Sequence, residues 1–186
     1  MAQHTLSVLV ENSPGVLARV ASLFSRRGYN IDSLAVGPTE NPEISRMTIV
    51  LNLEGHALDQ VSAQLFKLVN VIGIQEMTEG NSRQRELLLV KVGTNPASAA
   101  AVDAVVKQFG AEIVEESASS KIVQLVGTNS EVSGLVGALS KFGVKELVQS
   151  GVIAMEIGDV TLAERTLVET GLASSDSHAQ TADYQN

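Results

Sequence analysis

Apolar positions along the chain switch repeatedly between short runs and a three-to-four spacing. Leu6-Ser7-Val8-Leu9-Val10 has the length and composition of a strand, spanning about Thr5 to Glu11. After Glu11-Asn12-Ser13-Pro14-Gly15, the residues Val16, Leu17, Val20, Leu23 and Phe24 recur at the spacing of a buried helix stripe. Arg26 and Arg27 close that helix, where cations complement its dipole, and Gly28 suits the position just past its end. Tyr29 to Val36 reads as a second strand and Gly37-Pro38-Thr39-Glu40-Asn41-Pro42 as a turn. From Ile44 to Leu53, Met47, Ile49, Leu51 and Leu53 alternate with Arg46, Thr48 and Asn52, and Val50 interrupts the polar side. Leu58, Val61, Leu65 and Leu68 mark a second helix, and Val69 to Met77 lead through a fourth strand.

The order βαββαβ then recurs about 80 residues on. Glu86 to Val92 is a strand, and Val102, Val105, Val106 and Phe109 lie in register on a helix over 97–109. Short strands follow at Ile113-Val114 and Ile122 to Val126. A helix over 130–142 carries Val132, Leu135, Val136, Leu139 and Phe142, and Gly143 stops it. The last strand region, Val144 to Ile157, is interrupted at Ser150-Gly151. Right-handed crossovers on these helices give an α+β chain of two ferredoxin-like βαββαβ sandwiches in tandem. The expected division is 3–78 for the first domain, 79–85 for a polar linker, 86–158 for the second and 159–186 for an acidic, disordered tail, a solvated extension. That tail opens with helical spacing at Leu162, Ala163 and Leu167. It then dissolves into polar sequence from Gly171, so residues 172–186 are expected to be disordered and dispensable.

The loop after the first strand holds the chemistry. Ser13 suits an N-cap and Pro14 the first helical position, where its missing N–H is no loss. Gly15 leaves the first-turn amides open, and a helix start attracts a carboxylate or phosphate. Asn12 adds an amide oxygen able to accept from an ammonium group, so one short loop offers both halves of a zwitterion receptor. The matching stretch in the second half, Gly93-Thr94-Asn95-Pro96-Ala97, keeps the proline but has alanine where the first has Gly15. A β-carbon there crowds an approaching ligand, and this half reads as an interaction or coupling domain.

Composition narrows the function. Net charge is −8, of which the residues from 159 on carry half, and this argues against nucleic acid or an anionic membrane as partner. Cysteine is absent, which removes disulfides, a thiol nucleophile and thiolate metal sites. No basic, apolar leader precedes the first strand, so the expected location is cytoplasmic. His4, His56 and His178 have no partners at metal or triad spacing, and neither a phosphate-binding Gly-Lys motif nor a dinucleotide fingerprint occurs. The first and third strands lack the aromatics on which RNA-binding sheets of this topology stack bases. The pattern favours binding over turnover.

Strand-Glu11-Asn12-Ser13-Pro14-Gly15-Val16-Leu17-helix resembles the ligand loop of ACT domains, the amino-acid-sensing modules of metabolic enzymes. Further matches come from Arg26 through Leu34, Ser45-Arg46-Met47-Thr48-Ile49, Arg85 through Lys91 and Ser150-Gly151-Val152. With these the chain closely resembles the small, regulatory subunits of acetolactate (acetohydroxyacid) synthase, over about residues 3–158. In that family two ACT domains pair side by side, and valine binds where the loop of one faces the second strand of the other. The resemblance implies Asn12, Gly15, Val16 and Leu17 from one chain and Asn30 and Ile31 from its partner. The Gly15–Leu17 amides then hold the carboxylate, Asn12 and Asn30 the polar head, and Ile31 the isopropyl group. It also implies a homodimer that carries no cofactor and no catalytic or metal site. Thiamine diphosphate, FAD and magnesium sit instead on a separate large, catalytic subunit, which this chain activates and through which it transmits valine inhibition. An ACT-type sensor for a different enzyme, or a free-standing ferredoxin-like enzyme, are the competing readings.

Overall fold

β1 (Ala2–Glu11) is paired along all ten residues on one side and over Thr5–Val10 on the other, and that sets the architecture of the first half. The computed structural model describes residues 2–54 and 57–169. After β1 come α1 (Val16–Arg26), β2 (Ser33–Pro38), β3 (Ile44–Leu53), α2 (Ala57–Leu65) and β4 (Val71–Met77). The sheet runs β2-β3-β1-β4, antiparallel throughout, which is the ferredoxin-like order. Alternation along β1 sends Leu6, Val8 and Val10 to one face, where they meet Met47, Ile49, Leu51 and Leu53 of β3. Val16, Val20, Leu23 and Phe24 of α1 and Val61 and Leu65 of α2 close over that face. Each such side chain contributes about 1.5–3 kcal/mol on burial.

The second half repeats the order with β5 (Ser82–Gly93), α3 (Ala99–Gln108), β6 (Glu112–Glu116), β7 (Ser120–Gly127), α4 (Asn129–Ser140) and β8 (Val144–Gln149). Its sheet runs β6-β7-β5-β8, and Leu88, Val90, Val92, Val123 and Leu125 pack under Val102, Val105, Val106, Val132, Leu135 and Leu139. Thr128 caps α4. Its hydroxyl accepts from the Glu131 N–H at 3.3 Å, and the Glu131 carboxylate accepts from the Thr128 N–H at 2.7 Å. Bonds donated to it by the Thr128 N–H and hydroxyl hold the Glu131 carboxyl below its ordinary range. The expected interruption at Ser150-Gly151 is present: Gly151 has φ +78°, and the Ser150 hydroxyl replaces a backbone rung by accepting from the Leu87 N–H at 3.0 Å. Beyond it β9 (Ile153–Glu156) returns to pair with β5.

Three expectations are corrected. Tyr29 to Asp32 is not strand: β2 begins at Ser33, because Tyr29 N–H is drawn back to the Phe24 carbonyl at 3.1 Å in the helix-ending turn around Gly28. The linker is shorter than 79–85, since Ser82–Arg85 already belong to β5. The acidic tail is not all solvated extension, because α5 (Leu162–Glu169) is folded and belongs to the first unit. Among the described residues, one unit accordingly comprises 2–54, 57–83 and 155–169, and the other Gln84–Ala154.

In α5, Leu162 and Thr166 are buried, and Thr166 lies directly over Gly73 of β4. Thr161 and Glu164 form a capping box at its start, and Arg165 pairs with Glu156 at 2.5 Å. His56, His178 and residues 172–186 lie outside the described residues.

Candidate functional site

The β1–α1 loop departs from the expected cap. α1 begins at Val16, its N-cap is Gly15, and neither Ser13 nor any other side chain caps it. Gly15 has φ +86° and ψ −7°, the third-residue geometry of a type II turn, and the Val16 N–H meets the Ser13 carbonyl at 3.4 Å. Pro14 and Gly15 are therefore turn residues, placed where such a turn wants proline and then a positive-φ glycine. A β-carbon on Gly15 meets nothing within 4 Å, so what it contributes first is a backbone conformation. Asn12 anchors the other end. Its N–H bonds the Glu43 carbonyl at 2.7 Å and its side-chain NH₂ the Pro42 carbonyl at 2.9 Å, tying the loop to the β2–β3 connection.

This arrangement leaves donors free. Among the described residues no acceptor bonds the N–H of Gly15, Leu17 or Ala18, and the Asn12 side-chain oxygen accepts nothing. The second half provides an internal contrast. There the Asn95 side-chain oxygen accepts from Ala97 N–H at 3.0 Å and Ser98 N–H at 2.9 Å, and the Asn95 carbonyl accepts from Ala99 N–H at 2.9 Å. The amides matching those of Gly15 and Leu17 are thus occupied by the chain itself. One loop is closed and the other open.

Asn30 and Ile31 stand elsewhere. They precede β2, with the Asp32 N–H on the Val50 carbonyl at 2.9 Å, and Val50 opposite Thr5. The Asn12–Leu17 loop lies beyond Glu11, at the other end of β1. Six strand residues separate the two levels, about 20 Å at some 3.3 Å each. The six predicted residues therefore form two groups at opposite ends of one sheet. Asn12, Gly15 and Asn30 are exposed, Leu17 is 45% exposed, and Val16 is buried with its N–H turned to the Ser13 carbonyl. Asn30 donates to Asp32 at 2.8 Å, and Asp32 accepts from Asn52, which braces this second group from β3.

Two side chains beside the loop were not anticipated. Asn70, just ahead of β4 and 9% exposed, donates to the Glu11 carboxylate at 2.5 Å and accepts from the Arg19 guanidinium at 2.5 Å. Glu11 N–H also bonds the Asn70 carbonyl at 2.9 Å. A glutamate entering the loop and an arginine one turn into α1 are thereby held by one buried amide. His4 pairs with Glu76 across β1 and β4 at 2.7 Å, which gives it a strand-pairing role. Among the described residues no group of three His, Asp or Glu side chains could hold a metal.

Residues 6–73 match the family described as the small-subunit-like ACT domain of acetohydroxyacid synthase (AHAS), and 85–158 the family described as the small subunit of acetolactate synthase. The acetolactate synthase small subunit of Mycobacterium leprae is 50% identical over 155 residues, covering 83% of this chain and 92% of that protein. A probable acetolactate synthase small subunit of Archaeoglobus fulgidus is 44% identical over 157 residues, covering 84% and 98%. The crystal structure of the Thermotoga maritima small subunit superposes with a TM-score of 0.79 at 32% identity, covering 86% of this chain and all of that one. With its ACT fold, its second ferredoxin-like domain and these relatives, the chain belongs to the family of acetolactate synthase small subunits.

Proposed function

We propose that this chain is the regulatory subunit through which valine feeds back on branched-chain amino acid synthesis. It activates a separate large subunit and carries inhibition to it. One valine sits where the Asn12–Leu17 loop of one ACT domain meets Asn30 and Ile31 of a second copy. The observation that carries this reading is the set of N–H groups on Gly15, Leu17 and Ala18 without a partner among the described residues, whereas in the second half the amides matching those of Gly15 and Leu17 are closed by Asn95. Free amides at a helix start are fitted to a carboxylate. The Asn12 oxygen is fitted to the ammonium group.

The separation of the two residue groups supports the two-chain arrangement, because no single chain brings them together. Thiamine diphosphate, FAD and magnesium belong on the catalytic partner in this reading, and the location is cytoplasmic. Size selection of the side chain is modest, about 1–3 kcal/mol per methylene, so leucine and isoleucine act as poorer effectors. Valine titration of the purified chain by calorimetry, with and without its catalytic subunit, tests the proposal. Saturable binding by the chain alone and valine inhibition of the reconstituted enzyme are expected. A chain that neither binds valine nor alters the partner's activity overturns it.

A further inference from the structure

Asn70 joins two charges that flank the open loop, and its amide can do so in one orientation only. A guanidinium only donates and a carboxylate only accepts, so the amide oxygen must face Arg19 and the NH₂ must face Glu11. Glu11 is the last residue before the loop. Arg19 is tied by its own N–H to the Gly15 carbonyl at 3.0 Å, so it moves with the turn that carries the free amides. Both charged residues are exposed, while the amide between them is buried. Glu11 and Arg19, on either side of the loop, are thus fastened to a buried point just ahead of β4, 59 and 51 residues away in sequence.

We infer that Asn70 is a positioning residue for the effector site: it sets the distance between Glu11 and the first turn of α1. It thereby holds the Gly15, Leu17 and Ala18 amides in the ligand-ready arrangement before any ligand arrives. The inference rests on the reading of this loop as the valine site. A loop ordered in advance loses less freedom on binding, so affinity follows the bridge even though Asn70 offers the ligand nothing itself. Aspartate is the informative replacement because it has the size of asparagine. It keeps the acceptor for Arg19 and turns the donor facing Glu11 into a second carboxylate. Changing Glu11 to glutamine at the same time restores a donor on the opposite side, so the bridge re-forms with its direction reversed.

The test measures amide hydrogen exchange over residues 13–19 in the unliganded full chain, and valine affinity by calorimetry, for the parent, Asn70→Asp, Glu11→Gln and Glu11→Gln/Asn70→Asp. Asn70→Asp is expected to speed exchange about fivefold and weaken valine about tenfold. Glu11→Gln should stay near the parent, and the double variant should recover both quantities to within about threefold. Unchanged exchange in Asn70→Asp, or no recovery in the double variant, overturns the inference. If Asn70→Asp fails to fold, a double variant that folds and binds still supports the bridge, and one that also fails counts against it. A parent chain that shows the exchange pattern but binds no valine leaves the bridge standing and removes the effector reading instead.

Discussion

The side-chain oxygen of Asn95 accepts from the N–H of Ala97 at 3.0 Å. Ala97 is the counterpart of Gly15, whose N–H has no acceptor among the described residues. One chain has folded the same βαββαβ order twice and closed only one of the two strand-to-helix turns. An unsatisfied N–H on an exposed loop is tolerable because water serves it, so the open turn is available to a ligand at no loss to folding. The closed turn needs no ligand. The effector site proposed in the first half rests on that asymmetry.

Gly15→Asp should abolish valine sensitivity while leaving the subunit folded and able to activate its partner. The new carboxylate occupies the place meant for the ligand's own, and each charge-assisted bond lost is worth about 1.5–3 kcal/mol, or at least tenfold in affinity. Gly15 sits at φ +86°, so a backbone penalty accompanies the charge, about 1–2 kcal/mol for an ordinary side chain and less for aspartate. Gly15→Ala separates the two effects: with open space around its β-carbon it should lose stability but less than tenfold in affinity. Ala97→Asp, at the matching place, should keep valine sensitivity. Calorimetry and inhibition curves on the four proteins check this, and equal affinity in Gly15→Asp and the parent contradicts it.

The first sheet should need α5. A β-carbon on Gly73 overlaps the Thr166 hydroxyl and stands 3.2 Å from Thr166 Cβ and Cγ2, so Gly73→Val cannot keep the helix docked. Leu162→Ala, which truncates a side chain only 3% exposed, should destabilise by about 2 kcal/mol or more if α5 stays in place. In either variant trypsin should cut after Arg165 at least ten times faster, since the parent holds that side chain against Glu156. An unchanged cleavage rate in Gly73→Val shows that α5 adds nothing to the fold.

Periodicity made the helix faces legible. Val16, Val20, Leu23 and Phe24 are buried as spaced, and the stripes of the third and fourth helices land in the second core. Leu17 fits the same spacing but is 45% exposed, although Val16 beside it is buried. The turn at Pro14-Gly15 was misread as a cap since serine before proline serves both structures, and only the positive φ distinguishes them. The docking of α5 was missed because its central contact is a threonine, which no hydrophobic pattern counts. Gly73 inside a strand was the available signal, as an interior glycine often marks a close approach. Asn70 carried no signal at all: its two partners are more than fifty residues away, and no local pattern reports them.

The contribution of Glu86 to the stability of the second half should fall as pH rises from the acid side. Glu86 is buried and its carboxyl is pushed up by desolvation, with Asn129 at 3.4 Å partly opposing the shift. A carboxyl whose folded pKa exceeds its unfolded value favours the fold when protonated. The contribution is therefore complete below about pH 4.5 and lost through the higher folded value. Glu86→Gln keeps an acceptor for Asn129 and cannot ionise. It should match the parent in urea midpoint near pH 4 and exceed it at pH 7. A midpoint difference that does not change with pH contradicts this assignment.

The central claim, that the effector site is built from opposite ends of two ACT sheets, is tested most directly by mixing two defective chains. Gly15→Asp spoils the loop but keeps Asn30, and Asn30→Ala keeps the loop but removes the facing amide. Neither protein alone should bind valine with the parent's affinity. After co-refolding, a mixed pair brings the intact loop of one chain to the intact Asn30 of the other. Calorimetry should then recover parent-like affinity at a reduced number of sites. A mixture as defective as its components, while the parent binds valine, contradicts the two-chain site.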